Sequence, residues 1–159
     1  MADDRLAAPV PTAEHRRLHA FAGEWNGEET VFPSRWVGGG QATARVVARI
    51  DLNGFYLIQD TKQFRDGKES FATHGVFTYD REDRLYKLFW HDSLGYFAPS
   101  PASGGWKGNT LTLVRGSLRG NARHVYEIVD ADTYTMKIQF SPDSEGWADV
   151  LTGTYRRAK

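Results

Sequence analysis

The sequence predicts an all-β fold: a closed, antiparallel, up-and-down barrel of about nine or ten strands with one short N-terminal helix. Three observations carry this. From Gly23 onward, apolar and polar residues alternate with period two, as in strands with one buried and one wet face. Turn signals such as Asn53-Gly54, Asp66-Gly67 and Asp80-Arg81-Glu82-Asp83 separate the runs, and no helical pattern lies between them. Many short antiparallel strands of this kind build a sandwich or a barrel, and closure is favoured because it leaves no unpaired edge.

Residues 1–11 hold Pro9 and Pro11 among small and charged residues, the composition of a flexible N-terminal arm outside the core. Residues 12–159 read as a single domain. Within it Thr12 is placed to cap a helix over 12–22, with Leu18, Phe21 and Ala22 on one face and Gly23 as its stop. Strands follow at 24–32, 41–51, 55–64, 68–79, 84–91, 110–117, 123–129, 134–140 and 147–156. The prolines all fall in the arm or between strands, and Gly38-Gly39-Gly40 makes a loop, so nothing interrupts these runs.

Composition narrows the function. The 159 residues carry 20 Lys and Arg against 20 Asp and Glu, a net charge of zero, which argues against nucleic acid or an anionic membrane as partner. Cysteine is absent, which removes disulfide frameworks, thiolate nucleophiles and cysteine-ligated metals. The polar, acidic start and the lack of a long apolar stretch point to a soluble, cytoplasmic protein. Phosphate-cradling loops and hydrolase elbows have no matching motif. Arg115, Arg119 and Arg123 lie in a chain whose acids are as abundant as its bases, and they read as a solvated sheet face.

Parity then assigns an interior. Placing Arg45, Arg49, Asp60, Lys62, Lys87, Arg123, Glu127 and Lys137 outside turns Ala44, Val46, Ala48, Ile50, Phe55, Leu57, Gln59 and Thr61 inward. It does the same for Tyr86, Leu88, Trp90, Asp92, His124, Tyr126, Ile128, Tyr134, Met136, Ile138 and Phe140. The face of His74 stays open, since aromatic and small residues alternate around it. An aromatic lumen with sparse polar groups is what a pocket for a small hydrophobic or amphipathic molecule requires. Phe55, Leu57, Trp90 and Tyr126 would hold such a ligand, and Gln59, Asp92 and His124 would orient it. A filled barrel acting by its surface, as a homo-oligomer, is a further possibility.

The run His91-Asp92-Ser93 is not a catalytic triad, because neighbouring strand residues point to opposite faces. An enzyme built on this interior would instead use Asp92 or His124 as general base. His15 and His19 share a helix face at i and i+4, yet they lack the glutamate of an H-E-x-x-H motif and read as solvated rather than as a metal pair.

Gly23-Glu24-Trp25 after the helix and Tyr155-Arg156-Arg157 at the chain's end resemble the calycin pattern, in which a G-x-W packs against a terminal arginine and plugs the barrel. The resemblance gives the plug roles to Trp25 and to Arg156 or Arg157. Over residues 13–157 the chain is similar to an uncharacterised bacterial lipocalin-like family, domain of unknown function 1579. Leu18, Gly23–Glu29, Asp66-Gly67, His74-Gly75, Tyr79-Asp80, Trp90–Gly95, Trp106–Leu111 and the terminal Tyr155-Arg156-Arg157 carry the match. The resemblance implies the barrel fold and brings no established activity. The T-D-Y element of true lipocalins is missing, since Asp132-Thr133-Tyr134 has another order. Haem-binding nitrobindin-like barrels share the calycin plan, and by that likeness His124 is a candidate iron ligand.

Overall fold

The computed structural model describes residues 5–159, so the first four residues of the arm lie outside the described residues. A helix α1 (Ala13–Arg17) runs into a 3₁₀ turn (Leu18–Phe21). Ten strands follow: β1 (Gly23–Val31), β2 (Gly40–Asp51), β3 (Tyr56–Arg65), β4 (Lys68–Asp80), β5 (Leu85–Asp92), β6 (Ala102–Lys107), β7 (Thr110–Ser117), β8 (Gly120–Asp130), β9 (Thr133–Ser141) and β10 (Ala148–Arg157). Each strand pairs antiparallel with its sequence neighbours, and β1 pairs with β10 to close the barrel.

The period-two pattern is realised on strand after strand. Ala42, Ala44, Val46 and Ala48 are buried on β2, and Tyr86, Leu88 and Trp90 on β5, while the residues between them are partly or fully exposed. One strand, β6, is absent from the runs that alternation identifies, because Ala102-Ser103-Gly104-Gly105 offers no apolar alternation. Its glycine is structural: a Cβ on Gly104 would fall 1.9 Å from the Thr112 carbonyl oxygen. β6 is also the weakest seam, touching β5 only through Tyr86–Gly104, Lys87–Ser103 and Leu88–Ala102, so Trp90 to Asp92 have no β6 partner.

The helical segment is a single α turn plus a 3₁₀ turn, shorter than a continuous helix over 12–22. It stoppers one end of the barrel. Leu18 and Phe21 are 1% and 2% exposed, and the Tyr86 hydroxyl donates to the Glu14 carbonyl at 2.9 Å. Trp25 sits directly behind this stopper, donating its indole N–H to the Phe21 carbonyl at 2.9 Å. The Arg157 guanidinium lies 4.2 Å from its ring centroid and also donates to the Ala22 carbonyl at 2.7 Å. Of the two terminal arginines it is therefore Arg157 that covers Trp25; Arg156 is exposed and pairs with Asn26 in the ladder.

His15 corrects the expectation of a solvated helix face. It is 3% exposed, forms a capping box with Thr12 and packs edge-on against Phe55 and Tyr79. His19 donates from its Nε2 to the Gly54 carbonyl at 3.1 Å, so the two imidazoles serve separate contacts. His74, whose face parity left open, lies outside, with its Nδ1 2.5 Å from Asp60. No helix among the described residues is long and apolar enough to cross a membrane.

Candidate functional site

Because the helix blocks the end where β1 begins, open space remains at the opposite end. There the hairpin loops after β1, β5, β7 and β9 surround a cavity of about 700 Å³. Inward residues at the open ends of the strands line it: Val31, Phe71, Trp90, Ile138 and Leu151 supply apolar wall, with Gln63, Asp92, Arg115 and His124 among them. At the mouth, the Trp36 indole donates to the Tyr96 hydroxyl at 3.2 Å, tying the β1–β2 loop to the β5–β6 loop. A second depression of about 600 Å³ lies on the outer sheet face between Glu28, Arg123, Glu127 and Lys137. Its charged and threonine-rich lining makes it a solvated saddle, whereas the lumen combines apolar walls with few polar groups.

The expected site residues divide between two depths. Trp90, Asp92 and His124 line the cavity together. Phe55, Leu57, Gln59 and Tyr126 do not. Phe55 precedes β3 and packs on His15; Leu57 and Tyr126 are buried in the closed half; Gln59 donates to the Tyr134 hydroxyl at 3.4 Å. Tyr126 touches Phe21 and Phe77 edge-on, below the cavity floor.

The electrostatics follow from burial. His124 is fully buried, its ring 4.8 Å from that of Trp90, and neither ring nitrogen has a hydrogen-bond partner among the described residues. Burial, with a smaller contribution from the Arg115 charge, lowers its pKa to about 3, so the imidazole is neutral at physiological pH. Burial also pushes the Tyr126 phenol up. Asp92 is satisfied by near neighbours in the chain: it accepts from the Trp90 indole at 2.8 Å and from the Leu94 amide at 2.9 Å.

Two functional candidates escaped sequence reasoning. Glu29, 2% exposed, accepts from the Tyr155 hydroxyl at 2.5 Å and from the Gln63 amide at 2.7 Å, and Ser70 donates on to Gln63 at 3.0 Å. Desolvation raises its pKa against those hydrogen bonds. The second is Arg115. Rather than joining a solvated face with Arg119 and Arg123, it follows Leu111 and Leu113 inward and lines the cavity. The three arginines part company: Arg119 stacks on Tyr96 at the mouth and Arg123 on Trp147, each 4.2 Å from the ring centroid. In both cases the signal was parity, Trp25-Gly27-Glu29-Val31 and Leu111-Leu113-Arg115, overruled by the habit of placing charge outside.

A barrel stoppered at one end by a helix over a G-x-W tryptophan, and open at the other, is the lipocalin-like class of architecture. The chain belongs to the family described as Protein of unknown function (DUF1579), whose model matches residues 10–157. No curated protein matches it by sequence. Among solved structures it is similar to Rv2717c from M. tuberculosis, with a TM-score of 0.71, 15% identity, and 93% of this chain and 99% of that one covered. It is also similar to the S-type phycobiliprotein lyase CPES from Guillardia theta, with a TM-score of 0.64, 10% identity and coverage of 94% and 99%. A third likeness, to a DUF3598 protein of unknown function from Nostoc punctiforme, has a TM-score of 0.51 and 13% identity over 95% of this chain and 51% of that one. At these identities the likeness is one of fold.

Proposed function

We propose that the protein is a binding module that takes one small molecule with a substantial apolar part into the open half of its lumen. The observation that carries this is the cavity of about 700 Å³, walled by Trp90, Phe71, Ile138 and Leu151 and reached past the Trp36–Tyr96 bridge. A barrel of this size can hold one small ligand, and apolar walls with a few polar groups supply burial and orientation. The phycobiliprotein lyase likeness supports a barrel that handles a small molecule, without naming one for this chain.

Catalysis by the interior has less support. Both Asp92 carboxylate oxygens are engaged within their own turn, and both His124 nitrogens are sealed from the cavity. A general base must reach the proton it removes, which the buried His124 nitrogens do not, and Asp92, although it lines the cavity, already accepts a hydrogen bond on each oxygen. Haem does not fit His124 as placed. The neutral imidazole is the right donor, but axial ligation needs an accessible ring nitrogen, and here both are buried.

Nile red, an uncharged dye whose emission shifts blue in apolar surroundings, tests the proposal. The wild-type protein is expected to bind it with a blue shift. Ala122→Trp, which places an indole in the cavity lining, is expected to weaken binding at least tenfold while melting cooperatively. Equal binding by the blocked variant would place the dye elsewhere and contradict the lumen as the site.

A further inference from the structure

Arg115 is a cation built into the wall of this lumen without a counter-charge that holds it. Its Nε is buried with no hydrogen-bond partner, and no carboxylate lies within ion-pair distance of the guanidinium among the described residues. The nearest candidate, Asp92, influences it electrostatically but gives its oxygens to Trp90 and Leu94. A partly desolvated, unpaired charge is costly in a stable fold, and arginine cannot escape the cost by losing its proton. The charges around the cavity point the same way. Among the described residues, Arg35, Arg65, Arg115 and Arg119 face only Asp92 and Asp149, with no lysine or glutamate in the lining, although the chain as a whole is neutral.

Building on the lumen as the binding site, we infer that the ligand is an amphipathic monoanion, an apolar body bearing one carboxylate, and that Arg115 binds that carboxylate. The guanidinium offers paired N–H donors that match a carboxylate edge, which an ammonium does not. Trp90 and Phe71 take the apolar body. One anionic centre fits better than several, because the other three arginines are engaged at the rim. Arg65 donates to the Gly38 and Gly39 carbonyls at 2.7 and 2.8 Å, Arg119 stacks on Tyr96, and Arg35 lies 5.3 Å from the Trp36 ring centroid. Asp92, beside Arg115, adds a repulsion that a more highly charged headgroup would feel more strongly. Arg65 and Arg119 remain close enough to the mouth to draw an anion in.

The test compares 1-pyrenebutyric acid with 1-pyrenebutanol at pH 7, two fluorescent probes with the same apolar body and different headgroups. Wild type is expected to bind the acid about 10- to 100-fold more tightly, the range for a hydrogen-bonded charge pair. Arg115→Met should bring the acid down to the affinity of the alcohol and leave the alcohol unchanged, and Arg115→Lys should retain part of the preference. Equal binding of the two probes by wild type, or a preference that survives Arg115→Met, would overturn the role of Arg115 while leaving the lumen site standing. Failure of wild type to bind either probe would overturn both.

Discussion

Trp25→Ala is expected to lower the unfolding free energy by about 3 to 5 kcal/mol, the range for large aromatic truncations in a core. The indole is 1% exposed and joins three things at once: the Phe21 carbonyl through its N–H, the Tyr134 ring edge-on at 4.8 Å, and the Arg157 guanidinium over its face. Gly23 belongs to the same arrangement, with a φ of +124° and an Arg157 nitrogen 2.5 Å from where a Cβ would stand. Removing the indole therefore leaves a cavity, an unpaired carbonyl and an arginine with nothing to cover, all at the joint between stopper and barrel. Urea denaturation measures the loss. Trp36→Ala is the comparison: at 49% exposure on the mouth it should change stability by no more than about half a kcal/mol, as is usual for surface positions. Equal small losses for both would mean that Trp25 is not a plug.

Acid is expected to destabilise the protein through His124. Its pKa falls from an ordinary 6.5 to about 3 on folding, so between those values the unfolded chain binds the proton that the folded chain refuses. Stability from this group is complete above pH 6.5 and is lost as pH falls toward 3. At about 1.4 kcal/mol per unit, the loss relative to pH 7 is roughly 2 to 3 kcal/mol at pH 4.5 and about 4 kcal/mol at pH 3. Glu29 has the opposite sign: with its folded pKa raised, the stability it contributes falls as pH rises above the ordinary 4.5. His124→Leu isolates the first effect. Because neither ring nitrogen has a partner, the variant should be at least as stable as wild type at pH 7 and lose the acid slope assigned to His124. Parallel stability-versus-pH curves for wild type and variant would contradict a buried, neutral His124.

Much of this molecule is legible in its sequence, and the parts that are not have physical reasons. Alternation reports which face of a strand a residue occupies, so Trp90, Leu88, Val46 and His124 are correctly turned inward. It does not report depth along the barrel. Depth is set by where the helix seats, and the contacts that seat it, such as Tyr86 to Glu14 and His19 to Gly54, join residues far apart in the sequence. Hence Leu57, Gln59 and Tyr126 share a parity with Trp90 but lie in the stoppered half. β6 is silent because close approach of the Thr112 backbone demands glycine where a side chain would have shown the pattern. Arg115 and Glu29 are inward in plain alternation, and only the general rarity of buried charge argues against that placement.

The five tryptophans make the central claim directly measurable, because they sample both ends of the barrel. Trp90 and Trp36 line the cavity and its mouth, while Trp25 and Trp106 pack around Phe21 and Tyr134 at the stopper. Titrating the ¹⁵N-labelled protein with 1-pyrenebutanol and following the indole N–H resonances reads both ends in one experiment. A ligand in the open half should move the Trp90 and Trp36 signals and leave those of Trp25 and Trp106 in place. Shifts confined to Trp25 and Trp106, or no shift at saturating probe, would contradict a binding lumen at the end opposite the helix.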